Sequence, residues 1–241
     1  DAGINATASC LLNAVPTGPF VPGIVYLDTY IFVANTENRI YNSNIGDPTT
    51  WQALDYIAFE QSTDNIVGIA KHFNYLVAFG EWSMQFYYDA GQTVPGEGSP
   101  LAVVPSYMSE VGCANGNSIV STEQTVLWVG TSKVWGKSVF MLQGTSPVRV
   151  STPYIDRIIE NSTLKEVTAY TYKINGHMLY VLTLHDINVT IVYDLNEKAW
   201  YQWTMWATDA NGNYGEQYFR PSYFAGQGMN YYLLDDDSGV V

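Results

Sequence analysis

Five short apolar runs decide the fold: Tyr30-Ile-Phe-Val-Ala34, Tyr75-Leu-Val-Ala-Phe79, Val126-Leu-Trp-Val-Gly130, Met178-Leu-Tyr-Val-Leu182 and Asn230-Tyr-Tyr-Leu-Leu234. Each is rich in β-branched and aromatic side chains and is bounded by Gly, Asn, Asp or Pro, the signature of a strand between turns. Four are followed, after a turn, by a second run: Arg39-Ile-Tyr41, Met84-Gln-Phe-Tyr-Tyr88, Ser138-Val-Phe-Met-Leu142 and Val189-Thr-Ile-Val-Tyr193. The first runs begin 45, 51, 52 and 52 positions apart. A degenerate period of about 45–50 residues is that of a four-stranded propeller blade. The sequence therefore predicts an all-β chain, a β-propeller or partial propeller of four to five blade-like units, with these runs as the first strands. The alternative is a β-sandwich, whose strands recur at about 8–12 residues.

On the N-terminal side, Pro16, Pro19 and Pro22 mark residues 1–24 as an extended lead-in. Residues 25–241 then form the propeller-like domain. Its last unit stops after about two strands, so the domain is expected to be truncated at the C-terminus. One helix is predicted over Pro153-Tyr-Ile-Asp-Arg-Ile-Ile-Glu160, where Ser151-Thr152 supplies an N-cap ahead of a Pro at the first helical position. Ile155, Ile158 and Ile159 make its apolar stripe.

Composition narrows the classes. Of 241 residues, 47% are hydrophobic, 15% aromatic and only 14% charged. Disorder requires the opposite balance, and a coiled coil requires more Ala, Glu, Lys and Leu. Lys+Arg number 10 against Asp+Glu 23, a net charge of −13. The basic residues are scattered, so there is no electrostatic footprint for gripping phosphates. There is no apolar run of about 18 residues, and no membrane span is predicted. Cys10 and Cys113 stand far apart and do not suggest a disulfide framework.

Chemistry-bearing patterns are sparse. Asp209-Ala-Asn-Gly-Asn213 opens like a calcium loop, but the sixth position is Tyr214 and the twelfth Arg220, where Gly and a bidentate acid are needed. Asp235-Asp-Asp-Ser-Gly239 reads as a polar hairpin tip. His72, His177 and His185 lack ligand spacing. No metal and no cofactor are expected. His185-Asp186 would point to opposite faces of a strand or sit solvated in a turn. There is no Gly-x-Ser-x-Gly elbow and no Cys–His signature. Gly91-Gln-Thr-Val-Pro-Gly-Glu-Gly98 lacks the Lys of a phosphate loop and reads as a flexible connection. No catalytic residue is assigned, and the chain is expected not to be an enzyme.

The expected structural positions are Asp47, Pro48, Trp51, Trp200 and Trp203. Ser43-Asn-Ile-Gly-Asp-Pro-Thr-Thr-Trp51 is similar to the Asp-box of sialidase-type propellers, a structural device in which a Trp is buried behind a hairpin turn. Asp47-Pro48 is expected to initiate that turn, because Asp bonds its own backbone and Pro fixes φ. Trp200 and Trp203 are expected to pack in the core, with Tyr201 on the opposite strand face.

The stretch from Arg39 to Gly91 carries a resemblance. Ile40-Tyr-Asn-Ser43, Gly46-Asp-Pro-Thr-Thr-Trp51, Ser62-Thr-Asp-Asn-Ile-Val-Gly68, Leu76-Val-Ala-Phe-Gly80 and Phe86-Tyr-Tyr-Asp-Ala-Gly91 resemble segments of the packaged-DNA stabilisation protein of short-tailed bacteriophages, also called the tail hub or nozzle. Val150-Ser-Thr-Pro-Tyr-Ile155 and Tyr193-Asp-Leu-Asn-Glu-Lys-Ala-Trp-Tyr-Gln-Trp203 resemble later segments. The resemblance covers about three-quarters of the chain. It implies a β-propeller in a multimeric phage tail of the virion, a homo-oligomer below the portal and adaptor with further tail subunits as partners. There it would close the DNA exit channel until ejection. It implies no catalytic residue. An acidic wall would let DNA pass without tight binding; equally, the charge would keep an aromatic-rich surface soluble. The alternative function is a carbohydrate-active or carbohydrate-binding propeller, a glycosidase or host-surface adhesin, which would need convergent carboxylates in a concave pocket.

Overall fold

The computed structural model describes residues 18–60, 64–91, 94–208, 212–227 and 230–235. The chain divides into two compact units, Asp1–Gly116 and Asn117–Val241.

The first unit holds two antiparallel four-stranded sheets, each in sequence order. One comprises β1 (Val25–Leu27), β2 (Tyr30–Ala34), β3 (Arg39–Asn44) and β4 (Asp47–Ala58). The other comprises β5 (Ile66–His72), β6 (Tyr75–Gly80), β7 (Met84–Asp89) and β8 (Leu101–Val103), and a short β9 (Val111–Cys113) follows. Alternation turns Val25, Leu27, Phe32 and Ile40 of the first sheet onto Ile66, Ile69, Leu76 and Tyr87 of the second, one shared core. Asn38 joins the two. It adopts a left-handed conformation, φ 63°, in the β2–β3 turn. Its carboxamide donates to the Asp64 carbonyl (3.0 Å) and accepts from the Ile66 amide (2.8 Å).

The second unit begins with β10 (Val120–Ser121), β11 (Val126–Ser132), β12 (Gly136–Gln143) and β13 (Ser146–Arg149), paired in that order. Trp128 and Phe140 stack in its core at 6.0 Å. Helix α1 (Pro153–Asn161) follows, its N-cap Thr152 hydroxyl accepting from the Ile155 amide as the sequence predicts, with Ile155 and Ile159 buried. The next sheet runs β14 (Val167–Ile174), β15 (His177–Leu184), β16 (Val189–Asp194), β17 (Ala199–Thr208) and β18 (Tyr214–Tyr218). Asn175-Gly176, both at positive φ, closes β14–β15 as a two-residue hairpin. A last hairpin pairs β19 (Pro221–Gln227) with β20 (Asn230–Asp235).

The all-β expectation holds, with five sheets among the described residues. One correction concerns order. The five apolar runs are β2, β6, β11, β15 and β20, and each is the second strand of its sheet. All but β20, which pairs with β19 alone, have a neighbour on both sides; such a strand is the most buried, so its sequence is the most apolar. The preceding strands are shorter or more polar and did not stand out.

Candidate functional site

The Asp47–Trp51 segment is built around two polar devices. The tight turn itself is Ile45-Gly46, with Asn44 facing Asp47 across it and Gly46 at φ 67°. This corrects the expectation that Asp47-Pro48 makes the turn. Gly takes the left-handed position, and Asp47 and Pro48 open β4 instead. The Asp47 carboxylate accepts from the Thr49 amide (2.9 Å), the Thr49 hydroxyl (2.6 Å) and the Thr50 hydroxyl (2.6 Å). These bonds, the two hydroxyls foremost, hold its pKa down at about 2. The Trp51 ring is buried, and its indole nitrogen donates to the Pro48 carbonyl at 3.0 Å.

Trp200 and Trp203 do not share a face. They are three positions apart on β17, so strand alternation separates them and puts Tyr201 on the side of Trp203. Trp200 lies 4.9 Å from the Tyr193 ring and donates to the Val150 carbonyl (3.0 Å). With Ile155 and Ile158 of α1 it lines a cleft. Trp203 packs on the core formed by Tyr170, Leu179, Val181 and Val192 and meets Phe219 edge-on at 5.2 Å. Tyr170 binds the Pro221 carbonyl through its hydroxyl (3.0 Å), which fixes the last hairpin to β14.

The Gly91–Gly98 connection is anchored where it is described. Asp55, buried on β4, accepts from the amides of Gly96 (2.8 Å) and Gly98 (3.2 Å). The local sequence did not reveal this bond, which spans 41 and 43 positions.

Titratable clusters are few among the described residues. His185 opens a single helical turn and meets the Thr168 hydroxyl. Its neighbour Asp186 accepts from Ser162 (2.7 Å) and from the Thr163 amide and hydroxyl. Burial opposes its ionisation, but these bonds prevail and lower its pKa. His177, Asp194 and Glu197 offer ligand atoms within 4.8 Å of one another. The Asp194 carboxylate is already engaged there, taking His177 (2.6 Å) and the amides of Asn196 and Glu197. His72 is buried on β5. Most of the two Asp-rich stretches, at 209–211 and 236–239, lies outside the described residues.

Three arginines are engaged by the protein's own acceptors and rings. Arg149 pairs with Asp156 and lies 4.9 Å over the Trp135 ring. Arg39 reaches Glu37 at 3.4 Å and covers Tyr56. Arg220 donates to the Thr208 carbonyl at 2.6 Å. The cleft beside α1 is lined by Ile155, Ile158, Ile191, Trp200 and Tyr201 and has no carboxylate in its wall. A glycosidase needs a pair there.

The profile of the family described as "Bacteriophage P22 Gp10, beta-propeller" matches residues 15–241. The chain belongs to this family. The bacteriophage P22 Gp10 family comprises phage DNA-stabilisation proteins, which are structural components of the virion. Family membership agrees with the resemblance carried by Arg39–Gly91, and the fold described for the family is a β-propeller. A search of curated proteins finds no match. Among solved structures, the chain is similar to a protein of Bacteroides fragilis NCTC 9343 at 12% identity, over 79% of this chain and 72% of that one, with a TM-score of 0.30. Among the described residues, no helix of this family member is long and apolar enough to cross a membrane.

Proposed function

We propose that this chain is the tail hub, or nozzle, of a short-tailed phage, where it closes the DNA exit channel and retains packaged DNA until ejection. The observation that carries the reading is the family match over residues 15–241. The charge distribution supports it. A channel wall has to pass a polyanion without holding it, and a net charge of −13 with Arg39, Arg149 and Arg220 engaged internally offers few cations for counterion release. Retention would then come from protein subunits blocking the path. The partners would be further copies of the chain, an adaptor and other tail subunits.

The test is reconstitution. Phage particles assembled without this protein should fill with DNA and then lose it, and adding the purified chain to freshly filled particles should restore nuclease-resistant DNA. Particles that keep their DNA without the chain would refute the proposal.

A further inference from the structure

We propose that the small cavity between β3, β4 and the 94–98 segment is a binding site for a hard cation, with calcium as the ion it suits best. The cavity measures about 30 Å³ and is lined by Tyr30, Asn42, Asn44, Asp55 and Pro95 among others. Asn42 and Asn44 alternate along β3, so both carboxamides lie on one face. Asp55 joins them because β4 is irregular. Tyr41 faces Tyr56 and Ser43 faces Trp51, so residues 52–55 stand opposite Asn42 alone.

The oxygens are what call for a cation. Asn42 is 1% exposed, and its Oδ1 is shielded from solvent with no hydrogen-bond partner; the Oδ1 of Asn44 is in the same condition. The Asn42 NH2 group is committed elsewhere, to the Ser43 carbonyl at 3.1 Å. Buried acceptors are rarely left unsatisfied, because desolvation is then uncompensated. Asp55 is also 1% exposed and forms no ion pair among the described residues. A buried carboxylate is ordinarily paired or bound to a metal. Two amide oxygens and a carboxylate form an all-oxygen donor set, which selects a hard cation over a thiophilic or imidazole-seeking one. Calcium tolerates irregular geometry and completes its shell with water, whereas magnesium demands a near-octahedral shell. With one carboxylate the affinity should be weak, with Kd on the order of 10⁻⁴–10⁻³ M. The ion would bear on Asp55, which also holds the Gly96 and Gly98 amides, so occupancy would stiffen the 94–98 segment.

The proposal is independent of the tail reading and is tested on the full chain. Calcium titration should give a saturable rise in melting temperature. Terbium luminescence, sensitised through Tyr30, should appear and be displaced by calcium. Asn44→Ala, which removes an oxygen with no hydrogen bond to lose, should weaken both responses about tenfold or more. Asn44→Asp, which adds a charge to the donor set, should strengthen them. Glu197→Gln, at the separate His177–Asp194–Glu197 group, should change neither. No response to about 10 mM calcium, ten times the weaker affinity expected, would overturn the proposal and leave the cavity to a water molecule. A response that survives Asn44→Ala, or disappears with Glu197→Gln, would place the ion elsewhere and overturn it equally.

Discussion

The carboxylate of Asp64 fills the space that a side chain at Gly80 would need. A Cβ built on Gly80 falls 2.5 Å from Asp64 Oδ2 and 3.0 Å from Cε1 of Phe59. The same oxygen accepts from the Trp82 amide (2.8 Å) and the Ser83 hydroxyl (2.9 Å), so it has no free direction in which to move. Gly80→Ala should therefore destabilise the first unit by about 1–3 kcal/mol, measured by denaturant unfolding. In the Gly80→Ala/Asp64→Ala double variant the two losses should not add. Simple additivity would show that the alanine is accommodated without touching Asp64.

Trp51 should behave as a core anchor. Removing a buried indole costs about 3–5 kcal/mol, so Trp51→Ala should lower the unfolding midpoint steeply. Trp51→Phe keeps most of the packing but loses the bond to the Pro48 carbonyl, and should cost about 0.5–1.5 kcal/mol from that bond. Equal losses in the two variants would mean that the ring contributes no packing.

Asp47 provides a pH test. Its folded pKa of about 2 lies below the ordinary 3.8, so the stabilisation is present above the ordinary value and is lost as pH falls through about 2. Asp47→Asn should melt below the parent at pH 7, and the gap should close as pH is lowered from about 4 to 2. A carboxyl resonance of Asp47 that titrates near 4 by NMR would contradict the hydrogen-bond pattern around it.

Duplex DNA should bind weakly. With 10 Lys and Arg against 23 acids, a mobility-shift titration at physiological salt should show no submicromolar complex. Tight binding with a steep salt slope would reveal a basic groove and would remove the charge argument for a channel wall.

The strands in the middle of the four larger sheets were legible because burial on both sides writes continuous apolar runs, as in Tyr75–Gly80 and His177–Leu184. The helix was legible from a capping threonine followed by a proline, a purely local signal. The edge strands were not, since β1 (Val25–Leu27) and β8 (Leu101–Val103) are only three residues long and carry no alternation to count. The placement of Trp200 and Trp203 on opposite faces was available from parity alone, and the grouping of the two as one pair overlooked it. Asn42, Asn44 and Asp55 could not be linked from sequence, because the β4 irregularity that brings Asp55 opposite Asn42 has no signature in the residue order.

That irregularity has a further effect on how copies can associate. β4 is the terminal strand of its sheet, and its ladder with β3 is broken between Tyr41 and Ser43 and again between Ser43 and Asn44. Bulges of this kind twist an edge and make it a poorer template for a foreign strand. Edge-to-edge pairing of copies is thereby disfavoured at this margin.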